Sequence, residues 1–249
     1  MGKKGLVYKD VLWGLALAFI VGVVIFATEF IISFSLYFII LIFSGESGVE
    51  RVFNSPLFSA IYQVLIYATS FGILYLVPKK VKRLKKYQTN RNELGLTGWP
   101  TWTDIGLAPV GFLVYLLLAS VVTQIFMVFP WFQADQAQDV GFSGIFDFGG
   151  KLIAFIALVV VAPIAEEVIF RGWLYGKLRS RMGMIMAILI TSVLFGIMHG
   201  QWNVGVNVFA MSIVLCGLRE VTGTIYAGIL LHMVKNGIAF YLLYVMGMG

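Results

Sequence analysis

Glu166, Glu167 and Arg171 stand inside a long apolar run, and His199, His232 and Asn236 stand in or at the ends of the runs that follow it. Ionised side chains near the middle of a membrane helix cost about 2.5–3.5 kcal/mol each, so where they occur they mark a function by default. Glu167 and Arg171 are four residues apart on a helix and can pair. Glu166 points roughly 100° away, onto a neighbouring face, with no local partner. A carboxylate left free in a dry site is suited to act as a general base. His232 and Asn236 also share a helix face, and imidazole and carboxamide can both donate hydrogen bonds to a developing oxyanion. Each motif alone has a plain structural alternative: a charge cluster tying helices together, a satisfied histidine at a helix end, or interhelical hydrogen bonds from histidine and asparagine. Their joint occurrence points to hydrolytic chemistry.

These residues need a membrane scaffold, and the composition supplies one. The 249 residues are 60% hydrophobic and 12% charged, with a mean hydropathy of +0.92, against about a quarter charged in a soluble domain. The fold class expected is all-α, a polytopic transmembrane helix bundle; the alternating ten-residue segments of a barrel are missing. The length suits a single membrane domain over 1–249, with no room for a sizeable soluble one. The single cysteine, Cys216, lies in an apolar stretch and reads as a small buried hydrophobe. Lys3 and Lys4 precede a first apolar run too long for a signal-peptide core, so that run is expected to remain as a span.

Seven spans are expected, at about 11–43, 57–78, 104–129, 150–176, 183–200, 203–218 and 223–247, or eight if the first or last divides. With the N-terminus in the cytoplasm, the inner segments hold Lys3, Lys4, Lys9, the basic loop 79–91, Lys177, Arg179, Arg181 and Arg219. The outer ones hold only Arg51 and Lys151 among basic residues, together with the acids Glu46, Glu50, Asp135, Asp139 and Asp147. Positive-inside bias therefore sets the orientation expected for an integral, multi-pass protein. Trp99, Trp102, Trp131 and Trp202 fall near span ends, where amphipathic rings favour the interface. The net charge of +6 is accounted for by the basic loop lying on an anionic leaflet, not by nucleic acid. The partners expected are the lipid bilayer and a peptide or protein substrate.

Along ideal helices, Glu166 is roughly 20 Å from Arg179, His199 roughly 24 Å past Gly183, and His232 roughly 20 Å past Arg219. On alternating helices the three come to comparable depth and can meet.

Glu166-Glu167-x-x-x-Arg171, then Phe195-x-x-x-His199, then His232-x-x-x-Asn236, in that order on successive apolar segments, resembles the CPBP family of CAAX-processing and bacteriocin-processing (Abi-type) intramembrane proteases. Phe170-Arg171-Gly172 and Glu93-Leu94-Gly95-Leu96 fit the same pattern. The resemblance covers roughly 90–247. It implies a CPBP-like catalytic core over 99–249, after N-terminal spans and a basic cytoplasmic loop over 1–98. It implies an intramembrane endopeptidase, similar to the type II CAAX prenyl endopeptidases, in which Glu166 is the base and His199 its partner in activating water. His232 and Asn236 would hold the oxyanion, and Glu167 and Arg171 would be structural support. No cofactor is expected. Zinc is the alternative, with Glu166, His199 and His232 as its ligands, although the His-Glu-x-x-His pattern is missing. The Gly-x-Ser-x-Gly elbow and paired aspartates of other protease classes are missing too. A bacterial plasma membrane, with a peptide, leader or pheromone precursor as substrate, is the expected setting. The rival reading is a bacteriocin immunity or peptide-binding protein of the same fold; a transporter is disfavoured by the lack of an inverted repeat.

Overall fold

The computed structural model describes residues 8–136, 142, 145 and 147–247. Lys3, Lys4 and Asp139, used in the charge argument above, lie outside them. The described residues form an all-helical bundle: α1 (Tyr8–Phe53), α2 (Pro56–Lys80), α3 (Trp102–Phe126), α4 (Phe148–Arg179), α5 (Met184–Ile197), α6 (Trp202–Thr222) and α7 (Tyr226–Val245). All of these except α5 are long and apolar enough to cross a membrane.

Two helices differ from the spans the sequence predicts. The first does not stop at residue 43 but runs to Phe53, interrupted only at Gly45. That residue has φ 66° and ψ −175°, a conformation open to glycine alone. The expected span 183–200 is a helix of 14 residues, roughly 21 Å long against a hydrocarbon core of about 30 Å. It ends early because the chain turns through Met198 and His199 into Gly200, which has φ 71°.

Helix α6 is the central post, packed along α3 and α5. Its contact with α5 is backbone on backbone: a Cβ placed on Gly196 would come within 2.8 Å of the Gly205 carbonyl oxygen, and one on Gly205 equally close to that of Gly196. Small residues are what let membrane helices approach this closely. Helices α1 and α2 pair with each other and cover the flank of α4 and α5. Their outer faces carry exposed Phe19, Phe30, Phe43 and Leu57, the pattern of a surface wetted by lipid.

One face is stapled by polar contacts. Glu93 receives Lys177 at 3.1 Å and its carbonyl receives Arg219 Nη2 at 3.1 Å, while Glu220 accepts from Tyr175 at 2.8 Å and Arg179 at 2.9 Å. Asp104 caps α3 reciprocally with Thr101 and also accepts from Thr224 at 2.7 Å, fixing the start of α3 to the α6–α7 turn. These bonds set the heights of α3, α4, α6 and α7 relative to one another.

Candidate active site

Helix α4 is not a plain α-helix. It has two π-helical stretches, Ile156–Val161 and Glu167–Leu174, flanking the short α-helical piece that ends at Glu166. Such widened turns recur at functional sites because they re-aim side chains. In the first, the Ala162 N–H goes to the Ala157 carbonyl. The next donor in that register is residue 163, a proline with no N–H, so the Leu158 carbonyl has no ladder partner. Asn236 of α7 supplies one, its Nδ2 donating at 2.9 Å.

Glu166 and Glu167 diverge as the helical spacing predicts. Glu167, fully buried, accepts from Arg171 Nη1 at 3.1 Å and from His232 Nδ1 at 3.0 Å, both on Oε1. It therefore braces His232 as well as pairing with Arg171. Arg171, also fully buried, lies with its guanidinium carbon 4.2 Å above the Phe195 ring. Phe195 in turn touches Phe170, His199 and His232, with ring centroids 4.9, 4.9 and 6.0 Å away. It is an aromatic platform holding the charged pair and both imidazoles.

Glu166 is not alone. Tyr67 of α2 donates to its Oε1 at 2.6 Å. Its Oε2 is buried without a hydrogen-bond partner and lies 3.7 Å from His232 Nε2. His199 Nδ1 donates to the Phe195 carbonyl at 2.8 Å. A carbonyl can only accept, so the proton of the neutral ring is on Nδ1 and Nε2 keeps a free lone pair. The same logic applies to His232, whose Nδ1 faces a carboxylate; donation from its Nε2 as well requires the imidazolium form.

Glu166, His199, His232 and Asn236 all line one cavity of about 650 Å³. The direct contacts of Glu166 run to Tyr67 and His232, while His199 shares the cavity lining with it. Among the described residues, no three His, Cys, Asp or Glu side chains are close enough to share a metal ion. Glu166, His199 and His232 are not grouped in this way among the described residues.

The sequence reading missed Tyr67 and Glu29, both on the cavity wall. Tyr67 has no signal beyond being a tyrosine in a span. Glu29 has a clear one, as the sole charged residue between Val11 and Ser44. Lys235, within α7, stands on the same wall.

Gly228 of α7 is what admits the buried carboxylate: a Cβ there would lie 3.1 Å from Glu167 Oε2. Gly228→Ala is expected to push Glu167 off His232 and lower the melting temperature by several degrees, at about 1–3 kcal/mol for overpacking. A thermal melt of the purified variant checks it.

Residues 148–238 match the family model described as type II CAAX prenyl endopeptidase Rce1-like. This segment contains every motif residue from Glu166 to Asn236. The chain is 35% identical over 77 residues to YdiL, an inferred membrane peptidase of Bacillus subtilis (strain 168), a match covering 31% of this chain and 32% of that protein. It is 24% identical over 203 residues to the membrane-embedded CAAX protease MroQ of Staphylococcus aureus (strain USA300), covering 78% of this chain and 76% of that one. No solved structure matches it significantly. The comparisons thus support a likeness to the CPBP/CAAX proteases, carried by the segment 148–238.

Proposed function

We propose that this chain is an intramembrane endopeptidase that hydrolyses a peptide bond of a membrane-associated peptide or protein, using water activated by Glu166 and His199. The observation that carries this reading is the state of Glu166. One of its oxygens is held by Tyr67 and the other is buried and unpartnered, on a cavity wall shared with His199, His232 and Asn236. A water bound between Glu166 Oε2 and His199 Nε2 gives up a proton to the carboxylate as its oxygen attacks the peptide carbonyl carbon. The carbonyl π-electrons move to oxygen, and the resulting oxyanion takes hydrogen bonds from His232 Nε2 and the second Asn236 N–H. Collapse of that intermediate breaks the C–N bond, and the leaving amine takes the proton from Glu166. Glu167 and Arg171 hold His232 and Phe195 in place and touch no substrate.

In this reading the chain sits in a bacterial plasma membrane with its N-terminus and basic loop 79–91 in the cytoplasm, supported by the bias of basic residues. The substrate class favoured is a bacterial peptide, leader or precursor, or a protein terminus. No metal is needed, since carboxylate and imidazole supply the base. The direct test compares the membrane peptidome of cells carrying the intact chain with that of cells carrying Glu166→Gln. Peptides shortened only by the intact chain support proteolysis. Identical peptidomes combined with a phenotype that survives the substitution would move the reading to an immunity or binding protein.

Tyr67 acts here through Glu166, as a positioning residue. Tyr67→Phe removes a hydrogen bond to a charged group, worth about 1.5–3 kcal/mol, so kcat should fall about 10- to 100-fold. KM should stay nearly constant because the hydroxyl is spent on Glu166. Steady-state kinetics on any identified substrate separate the two effects.

A further inference from the structure

Two polar groups on the cavity wall have no use in the chemistry above. Glu29, on α1, makes no hydrogen bond or ion pair among the described residues, yet it stands in a helix otherwise uncharged from Val11 to Ser44. A carboxylate at such a position is costly unless something compensates for it. Gln63, on the adjacent α2, has its Oε1 buried and unpartnered on the same wall. Glu29 lines the cavity together with Tyr62, Tyr67 and Glu166, which places it on the Glu166 side of the bundle. The one lysine or arginine lining the cavity among the described residues is Lys235, on α7. Glu29 and Lys235 form no ion pair among the described residues, so the Glu29 carboxylate is left without a cation. The Glu29 carboxylate and the unpartnered Gln63 Oε1 are both acceptors on this wall, which suits an N–H cation.

We propose that Glu29 and Gln63 form a subsite for a cationic group of the bound peptide, a primary ammonium or a guanidinium. It can be carried by a lysine or arginine side chain or by the amino terminus. The inference rests on the peptide-substrate reading and adds direction to it. The cationic group is drawn to the α1–α2 wall and repelled by Lys235 on α7, so the peptide enters with one polarity and its scissile bond falls by Glu166.

Binding tests this apart from cleavage. The full chain carrying Glu166→Gln is placed in lipid nanodiscs and titrated by fluorescence anisotropy. The probes are labelled apolar peptides of about 20 residues, long enough to span, capped at both ends and differing only in one central lysine, glutamate or norleucine. A fourth is the norleucine peptide with a free amino terminus. The lysine peptide, the free-terminus peptide or both should bind about tenfold more tightly than capped norleucine. Which of them gains tells the side-chain and terminal sources apart. Adding Glu29→Gln should abolish the gain, Glu29→Asp should keep it, and Glu29→Lys should transfer it to the glutamate peptide. The subsite is overturned if neither cationic probe gains, if the gain survives Glu29→Gln, or if it arises only after Lys235→Met, which would make Lys235 the partner of Glu29. Should the preference hold while the chain with Glu166 intact cuts none of the probes or native membrane peptides, the proteolytic reading fails and the subsite stands.

Discussion

Glu166→Gln should leave a folded, normally abundant protein whose turnover is lower by about 10²–10⁴-fold, the range for loss of a positioned general base. The expectation of normal folding follows from the contacts. Glutamine keeps the shape, and its Oε1 can still accept from Tyr67, which holds the native carboxylate at 2.6 Å. What is lost is the basic oxygen on the other side, Oε2, which has no hydrogen-bond partner to lose and lies 3.7 Å from His232 Nε2. Melting temperature and cleavage, measured in parallel on purified protein, therefore dissociate: the first is unchanged and the second collapses. Retained cleavage in Glu166→Gln would sink the assignment of the base, whatever else remains true of the site.

Arg171→Met should fail the opposite way, through stability. It strips a fully buried cation from a fully buried carboxylate 3.1 Å away, and breaking one side of such a pair costs about 3–5 kcal/mol. The guanidinium also covers the Phe195 ring, so the aromatic platform loosens with it. Glu167→Gln is expected to be milder, because the amide oxygen can still accept from His232 Nδ1 while Arg171 is left facing a neutral group. Combining the two removes both charges and should recover part of the loss, since no lone charge is left buried. Melting curves of the three variants give a coupling energy, and additive losses in the double variant would refute the pair as the source of stability. If Glu167→Gln instead proved stable and inactive while Glu166→Gln still cleaved, the roles of the two carboxylates would be inverted.

Hydropathy carried the fold in outline. Helices α2, α3, α4, α6 and α7 begin and end within a few residues of the runs read from composition, because in lipid the backbone has no option but to be helical. The two departures, at Gly45 and at the early end of α5, are decided by single glycines whose dihedral angles composition does not announce. At the site, Glu166, His199, His232 and Asn236 line one cavity. Their finer contacts were beyond reach for two reasons. Spacing arguments assume 3.6 residues per turn, and α4 departs from that twice, on both sides of Glu166. Partners such as Tyr67 come from the N-terminal helices, where an aromatic residue in a span looks like any other. Glu29 was legible by the same intramembrane-charge argument that found Glu166, applied to the first helix.

The proline in α4 has a consequence for how substitutions at distant positions depend on one another. Pro163 withdraws the donor that Leu158 would have used, and Asn236 returns it from another helix. The two residues are therefore complementary across the chain, and the meaning of a change at one is conditional on the other. With proline at 163, losing Asn236 leaves the Leu158 carbonyl without its donor and, in the proposed mechanism, also removes a hydrogen bond to the reacting oxygen, so the damage mixes architecture with chemistry. With an ordinary residue at 163 the helix could satisfy itself, and Asn236 would be released to act on substrate with both of its hydrogens. Genetic dependence between these positions would thus report how one side chain divides its labour.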